Sequence, residues 1–207
     1  LNLVQDTLGL VWALGYQTVS AVVGHDFGSS VAGCCALIRP DVFRSVVMMS
    51  APFTGAPAFV NDEANKDPRL PYAPATKGKD IHAALAELTP PRKHYQWYYS
   101  TPDANANMWR SPDGVHAFLR AYYHHKSADW KLNQPFKLNA WQAKDLAQLP
   151  RYYIMDLDQG MAETVAPEMP SAKHIASCRW LTEDELSHYS RTYEATGFQG
   201  GLQWYRC

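Results

Sequence analysis

Hydrophobic positions along the first fifty residues alternate between two periods. Leu3, Val4, Leu8, Val11 and Leu14 recur at helical spacing, and Gly15 stops the helix. Val19 to Val23 is a short, dense apolar run that predicts a buried strand. Gly24-His25-Asp26-Phe27-Gly28 predicts a sharp turn, and Ser29 to Ile38 a helix closed near Pro40. Ser45 to Met49 predicts a second buried strand. Strand, helix and strand within about thirty residues make a βαβ unit, which implies a parallel sheet.

The pattern changes after Ser50. Seven prolines fall between residues 51 and 91, so most of this stretch predicts loop, with one short helix around Asp80 to Leu88. The remainder reads as helical and aromatic. Val115 to Lys126 predicts one helix. Thr182 to Thr196 predicts another, opened by the capping-box pair Thr182 and Glu185 and closed by Gly197. The expected organisation is α/β, with a partial core over residues 1–53, a Pro-rich connection over 54–92 and a helical second part over 93–207.

Composition narrows the function classes. The chain has 207 residues and a formal net charge of -1, which offers no footprint for nucleic acid or an anionic membrane. No run approaches the roughly 18 apolar residues that span a bilayer. The segment Leu1 to Leu14 lacks a basic start and contains Asp6, so it does not read as a signal peptide. Cys34, Cys35, Cys178 and Cys207 form no CxxC pair, which argues against a disulfide framework or a structural zinc site and for a reduced, cytoplasmic setting. No metal or cofactor is expected.

The chemistry concentrates at Val22-Val23-Gly24-His25-Asp26-Phe27-Gly28. A small residue, one spacer, a nucleophile, one spacer and a second small residue between strand and helix is the pattern of a nucleophile elbow. Larger side chains at Gly24 and Gly28 are expected to collide with neighbouring backbone. The helix N-terminus behind the turn favours developing negative charge, and the Phe27 N–H is the candidate oxyanion donor. The nucleophile position holds Asp26. A carboxylate is ionised at neutral pH and needs no base to attack carbon, so the expected electrophiles are epoxides or alkyl halides. The competing reading makes Asp26 a helix cap. A second imitation, Gly28-Ser29-Ser30-Val31-Ala32, falls a turn too late, inside the helix, for Ser30 to be a nucleophile.

Taken with Arg39-Pro40-Asp41-Val42-Phe43-Arg44 and Ser50-Ala51-Pro52-Phe53, the elbow resembles the epoxide-hydrolase branch of the α/β-hydrolases. His94-Tyr95-Gln96-Trp97-Tyr98 resembles the first lid-tyrosine segment of that family. Thr196-Gly197-Phe198-Gln199-Gly200-Gly201-Leu202-Gln203-Trp204-Tyr205-Arg206 resembles the second. The resemblance implies an α/β-hydrolase core with a helical lid, Asp26 as nucleophile and Tyr95 and Tyr205 as paired phenols. Gln96 would line their pocket, and the substrate would be a small hydrophobic epoxide. A phenol, with an ordinary pKa of about 10, can polarise an epoxide oxygen and protonate the alkoxide.

The chain departs from the family at both ends. It holds no His-Gly-x-Pro, and it stops at Cys207, where the family continues to an acid and a His base. The histidines inside the chain do not fit that base: His124 and His125 read as a solvated helix face, and His174 and His188 lie in the lid. The expectation is a fragment that is inactive alone and poorly soluble, its strand edges uncovered. Two other readings stand beside it. One is a haloalkane or haloacid dehalogenase of the same fold, although Phe27 replaces the tryptophan usual in haloalkane dehalogenases. The other is a truncated homologue that binds without catalysis.

Overall fold

The computed structural model describes residues 2–51, 53 and 80–206. The chain folds as two compact units, 1–77 and 78–207. Most of the expected Pro-rich connection, residues 54–79, lies outside the described residues.

The first unit begins with α1 (Asn2–Ala13), whose Val4, Leu8 and Val11 form one buried stripe. Leu3 and Leu14 of the expected apolar face are exposed instead. Gly15 ends the helix with φ +82, a backbone region that glycine enters without steric cost. Next come β1 (Val22–His25), α2 (Phe27–Ile38) and β2 (Val46–Met49). The strands pair in parallel, Val22 opposite Val46 through His25 opposite Met49. The first strand thus starts three residues later than the apolar run suggests. Val19 makes only an isolated bridge to Phe43, because the chain joins the ladder fully where Ser45 accepts from Val22. The helix begins two residues earlier than expected, at Phe27, directly after the turn.

Packing in this unit is one-sided. Val4, Leu8 and Val11 of α1 meet Cys35, Val42 and Phe43. All four β2 residues and Val23 of β1 remain exposed. No helix among the described residues is long and apolar enough to cross a membrane.

The second unit contains α3 (Ile81–Ala86), β3 (Arg92–His94), α4 (Tyr95–Ser100), α5 (Asp103–Trp109), α6 (Gly114–Lys126), α7 (Ala143–Leu146), β4 (Ile154–Asp156), α8 (Met161–Val165), α9 (Ala172–Ser177), α10 (Glu183–Thr196) and α11 (Gln199–Leu202). It is helix-rich but not purely helical. Strands β3 and β4 pair antiparallel, with Arg92 opposite Asp156 and an Arg92–Asp156 ion pair of 2.6 Å. Arg151 pairs with the same carboxylate. The core gathers Tyr98, Tyr99, Phe118, Leu119, Met155 and Met161.

Local rules account for the helix ends. Thr182 Oγ1 accepts from the Glu185 N–H at 3.3 Å while Glu185 Oε2 accepts from the Thr182 N–H at 2.7 Å, the reciprocal cap. Gly197 closes α10 at φ +64. Gly160 has no side chain to cap α8, and Asn107 substitutes for it: its Oδ1 accepts from the Ala162 N–H at 3.1 Å.

His125 corrects the expectation of a solvated face. It sits on α6 with no exposed surface, its ring edge-on to Trp130 at 4.4 Å and to Tyr152 at 4.9 Å. Burial pushes its pKa down to about 4. Adjacent residues on a helix point about 100° apart, so His124 is only half-buried while His125 enters the core.

Candidate active site

Asp26 stands between the last residue of β1 and the first of α2, at φ 55 and ψ -122. An L-residue rarely occupies that region, and holding it there costs on the order of 1–3 kcal/mol. The surroundings enforce it. The Asp26 N–H donates to the Met49 carbonyl at 3.0 Å, at the end of β2, and the Ser29 N–H donates to the Asp26 carbonyl at 3.0 Å. The side chain makes no cap hydrogen bond to α2 and is exposed to solvent. Asp26 therefore does not act as an ordinary helix cap.

Gly24 is required by close approach. A Cβ there would lie 1.9 Å from the Gly28 carbonyl oxygen and 2.7 Å from the Ser29 nitrogen. Gly28 differs from the expectation. A Cβ on it would meet nothing within 4 Å among the described residues. The strand presses on the backbone of residue 28, and only the strand glycine gives that room.

Ser29 is a residue the sequence reading passed over as part of a serine imitation. It is completely buried. Its Oγ lies 2.7 Å from the Met49 carbonyl and 3.0 Å from the Gly24 carbonyl, and it accepts from the Met49 N–H at 3.0 Å. One hydroxyl thus ties both strand ends to the helix below the turn. Ser30 is exposed within α2.

The aromatic half of the expected site lies in the second unit. Tyr95 opens α4, and its N–H donates to the Tyr153 carbonyl at 2.8 Å. His94 caps the helix, its Nδ1 accepting from the Gln96 N–H at 3.3 Å. Burial, reinforced by His82, holds the His94 pKa below its usual value, which keeps Nδ1 an acceptor. Gln96 donates from Nε2 to Tyr95 Oη at 3.3 Å.

Tyr205 sits in a 3-10 turn, Gln203–Arg206, with its ring 6.0 Å from that of Tyr95 and at 76° to it. Tyr99 packs against both rings, at 5.6 Å from Tyr95 and 5.0 Å from Tyr205. Burial pushes the Tyr99 phenol well above its ordinary pKa. Its Oη lies 3.3 Å from that of Tyr122. Arg206 fastens the segment: its guanidinium donates to the Ser100 and Thr101 carbonyls at the far end of α4. Tyr95, Gln96 and Tyr205 therefore form one cluster. Asp26 and Phe27 belong to the first unit. Arg206 lies inside the second quoted segment and Tyr99 one residue past the first, but nothing in residue type separated them from their aromatic neighbours.

Beside Tyr205 a cavity of about 540 Å³ opens between α6, α10 and α11, with Phe118, Leu119, Tyr193 and Phe198 among its walls.

Residues 13–205 match the family described as Esterase. Epoxide hydrolase 3 of Siraitia grosvenorii is 24% identical over 206 residues, covering 100% of this chain and 49% of the relative. Epoxide hydrolase B of Mycobacterium tuberculosis is 27% identical over 220 residues, covering 99% and 54%. Among solved structures, an epoxide hydrolase from an endophytic Streptomyces superposes with TM-score 0.63 at 27% identity, covering 98% of this chain and 48% of that one. The potato (Solanum tuberosum) epoxide hydrolase I superposes with TM-score 0.55 at 22% identity, covering 98% and 49%, a likeness of fold. The chain spans about half the length of each of these relatives.

Proposed function

The chain belongs to the esterase family, and on that premise we propose that it carries the alkylation chemistry of an epoxide hydrolase, with Asp26 as nucleophile and Tyr95 and Tyr205 as proton donors. The observation that carries this reading is the Asp26 backbone at φ 55, with a carboxylate that is exposed and takes no part in capping α2. The epoxide-hydrolase relatives and the α/β-hydrolase fold support it.

The steps follow from the groups. A carboxylate oxygen of Asp26 attacks a ring carbon. The ring C–O bond breaks, its electron pair passes to the epoxide oxygen, and an alkyl ester forms. A phenol of the Tyr95 and Tyr205 pair gives its proton to that oxygen. Gln96, donating to Tyr95 Oη, orients the first phenol. Water then attacks the ester carbonyl, and the Phe27 N–H at the start of α2 is the candidate donor to the resulting oxyanion. The acyl–oxygen bond then breaks, and of water's two protons one goes to the leaving diol oxygen and the other restores the phenol, which leaves a vicinal diol and the regenerated carboxylate.

Ester hydrolysis needs a base for the water. His125 is sealed in the core, His94 caps α4, and His116 Nδ1 and Nε2 contact Ser190 and Glu183. None of these three is placed as that base, and the first half-reaction is the one assigned to Asp26, Tyr95 and Tyr205. Phe27 has no side-chain N–H to grip a halide, which favours an epoxide over a haloalkane.

The test is mass spectrometry of the 207-residue chain after exposure to styrene oxide. The expected result is one epoxide-derived adduct on the peptide containing Asp26. It disappears in Asp26→Asn and forms about a hundredfold more slowly in Tyr95→Phe or Tyr205→Phe. Halide release from 1-chlorobutane or chloroacetate without an epoxide adduct would favour the dehalogenase reading. No adduct from either class would leave a chain that binds only.

A further inference from the structure

A second cavity lies on the other side of α6 from the chamber beside Tyr205. Successive helix residues turn by about 100°, so Arg120 and His124 share one side of α6, roughly opposite Phe118, Leu119, Tyr122 and Tyr123. Those four line the first chamber, and the two cavities share no lining residue. The second has a volume of about 370 Å³, and α9 and the residues that follow it, from His174 to Trp180, supply its facing wall. That volume falls within the roughly 300–1,000 Å³ of small-molecule sites. The reaction assigned to Asp26, Tyr95 and Tyr205 uses none of these residues.

Its lining combines hydrogen-bond donors with an apolar wall. Arg120 is buried, donating from Nη1 to the Leu181 carbonyl at 2.9 Å and from Nη2 to Glu183 at 2.5 Å. Glu183 thus offsets Arg120 from outside the lining. Arg179 differs: it is exposed, and its guanidinium makes no hydrogen bond or ion pair among the described residues. His124 and His174 add two imidazoles, whose rings also make no hydrogen bond among the described residues. Burial holds the His124 pKa below its usual value, so the neutral ring offers one N–H. Asp129 is the one carboxylate in the lining, and its Oδ2 accepts from Trp180 Nε1 at 2.7 Å. That bond fixes the indole, which with Pro170 and Ile175 forms the apolar wall. No group of three or more His, Cys, Asp or Glu among the described residues is set to hold a metal ion, so the imidazoles and Cys178 do not make a metal centre.

We propose that this cavity binds a small aryl carboxylate, with Arg179 taking the carboxylate and Trp180 walling the ring. A planar guanidinium presents parallel N–H groups that match two carboxylate oxygens. A monoanion meets less repulsion from Asp129 than a doubly charged phosphate does. The surface of Pro170, Ile175 and Trp180 favours a flat apolar body, which phosphate lacks. The site goes beyond the epoxide reading and does not depend on it.

Ligand-observed NMR titration of the 207-residue chain with benzoate, benzamide, acetate and inorganic phosphate tests it. Benzoate should bind at least about fivefold more tightly than benzamide, which lacks the charge, and than acetate, which lacks the ring. Arg179→Gln should weaken benzoate about fivefold or more, to the level of benzamide, with the melting temperature unchanged because the side chain has no ion pair among the described residues. Trp180→Ala should remove the advantage of benzoate over acetate. Lys173→Gln deletes an exposed cation of α9 that lies outside the lining, and benzoate binding should stay as it is. Asp26→Asn should also bind benzoate like the unaltered chain, whatever becomes of its epoxide adduct. Absence of benzoate binding overturns the proposal, and so does benzamide binding equally well. A loss in Lys173→Gln as large as in Arg179→Gln reduces the effect to overall charge and overturns it too. Tighter binding of phosphate than of benzoate, or an unchanged benzoate-to-acetate ratio in Trp180→Ala, removes the aryl carboxylate as the ligand. Loss of benzoate binding in Asp26→Asn would place benzoate at the reaction site instead.

Discussion

Arg206 donates from Nη2 to the Thr101 carbonyl at 2.8 Å, and so holds the C-terminal end of the helix whose first residue is Tyr95. Its Nε reaches the Ser100 carbonyl at 3.2 Å. Cations near a helix C-terminus meet the negative end of the dipole and the unpaired carbonyls together. Here the same contact fixes Tyr205, the preceding residue, against the ring of Tyr95. The spacing of the phenol pair thus depends on a guanidinium at the opposite end of α4.

Arg206→Ala should therefore act on the chemistry through geometry. Losing hydrogen bonds to a charged donor costs about 1.5–3 kcal/mol. Urea denaturation should show that loss in the second unit, and alkylation of Asp26 should slow by about tenfold or more as Tyr205 loses its position. Arg206→Lys should recover only part of both, because an ammonium lacks the planar fork. Alkylation at the unaltered rate in Arg206→Ala would disconnect this contact from the site.

The two elbow glycines should behave oppositely. Gly24→Ala puts a methyl 1.9 Å from a backbone oxygen, so the strand or helix must move. The expected cost is about 3 kcal/mol or more, read as loss of the first unit's cooperative unfolding. Gly28→Ala lies on α2 with open space around it and should stabilise by up to about 1 kcal/mol. Equal destabilisation by both would mean that the turn is not built around Gly24.

Much of this was legible in the chain because its signals are local. The α1 stripe, the turn at Gly24 to Gly28 and the Thr182–Glu185 cap each occupy one short window with one physical cause. The β3–β4 pair was not legible. Arg92-Lys93-His94 is three polar residues long, and it becomes a strand through Asp156, more than sixty positions away. Lys93 is buried over the Tyr98 ring at 5.0 Å, a setting that residue type argues against. Ser29 escaped for a related reason. Its partners, Gly24 and Met49, come together only when the parallel ladder forms.

The uncovered sheet gives a prediction about behaviour in solution. Val23, Val46, Val47, Met48 and Met49 are each more than a third exposed. Contiguous apolar strand surface invites pairing with another chain. Light scattering should show concentration-dependent association of the 207-residue chain. Val47→Lys and Met49→Lys should reduce it without altering the urea unfolding of the second unit. A monodisperse monomer at all concentrations would show that these strands find cover within the chain.

His125 makes the stability of the second unit depend on pH, with a sign set by burial. Its pKa falls from the ordinary 6.5 to about 4 because the ring is buried between Trp130 and Tyr152. Glu168, which accepts from Trp130 Nε1 at 2.7 Å, partly opposes that shift, while His124 and Lys126 add to it. The unfolded chain takes up a proton on this residue below about pH 6.5. The folded chain resists until about pH 4, so unfolding is proton-coupled between those values. The contribution is fully present above pH 6.5 and is lost as pH falls towards 4, for a total of about 3 kcal/mol. His125→Phe keeps an aromatic ring and removes the titration. Comparing urea midpoints of the two chains from pH 7 to pH 4 cancels the carboxylates that both share. The wild-type chain should lose about 3 kcal/mol more than the variant over that range. Parallel curves would mean that His125 protonates as readily in the folded chain as in the unfolded one.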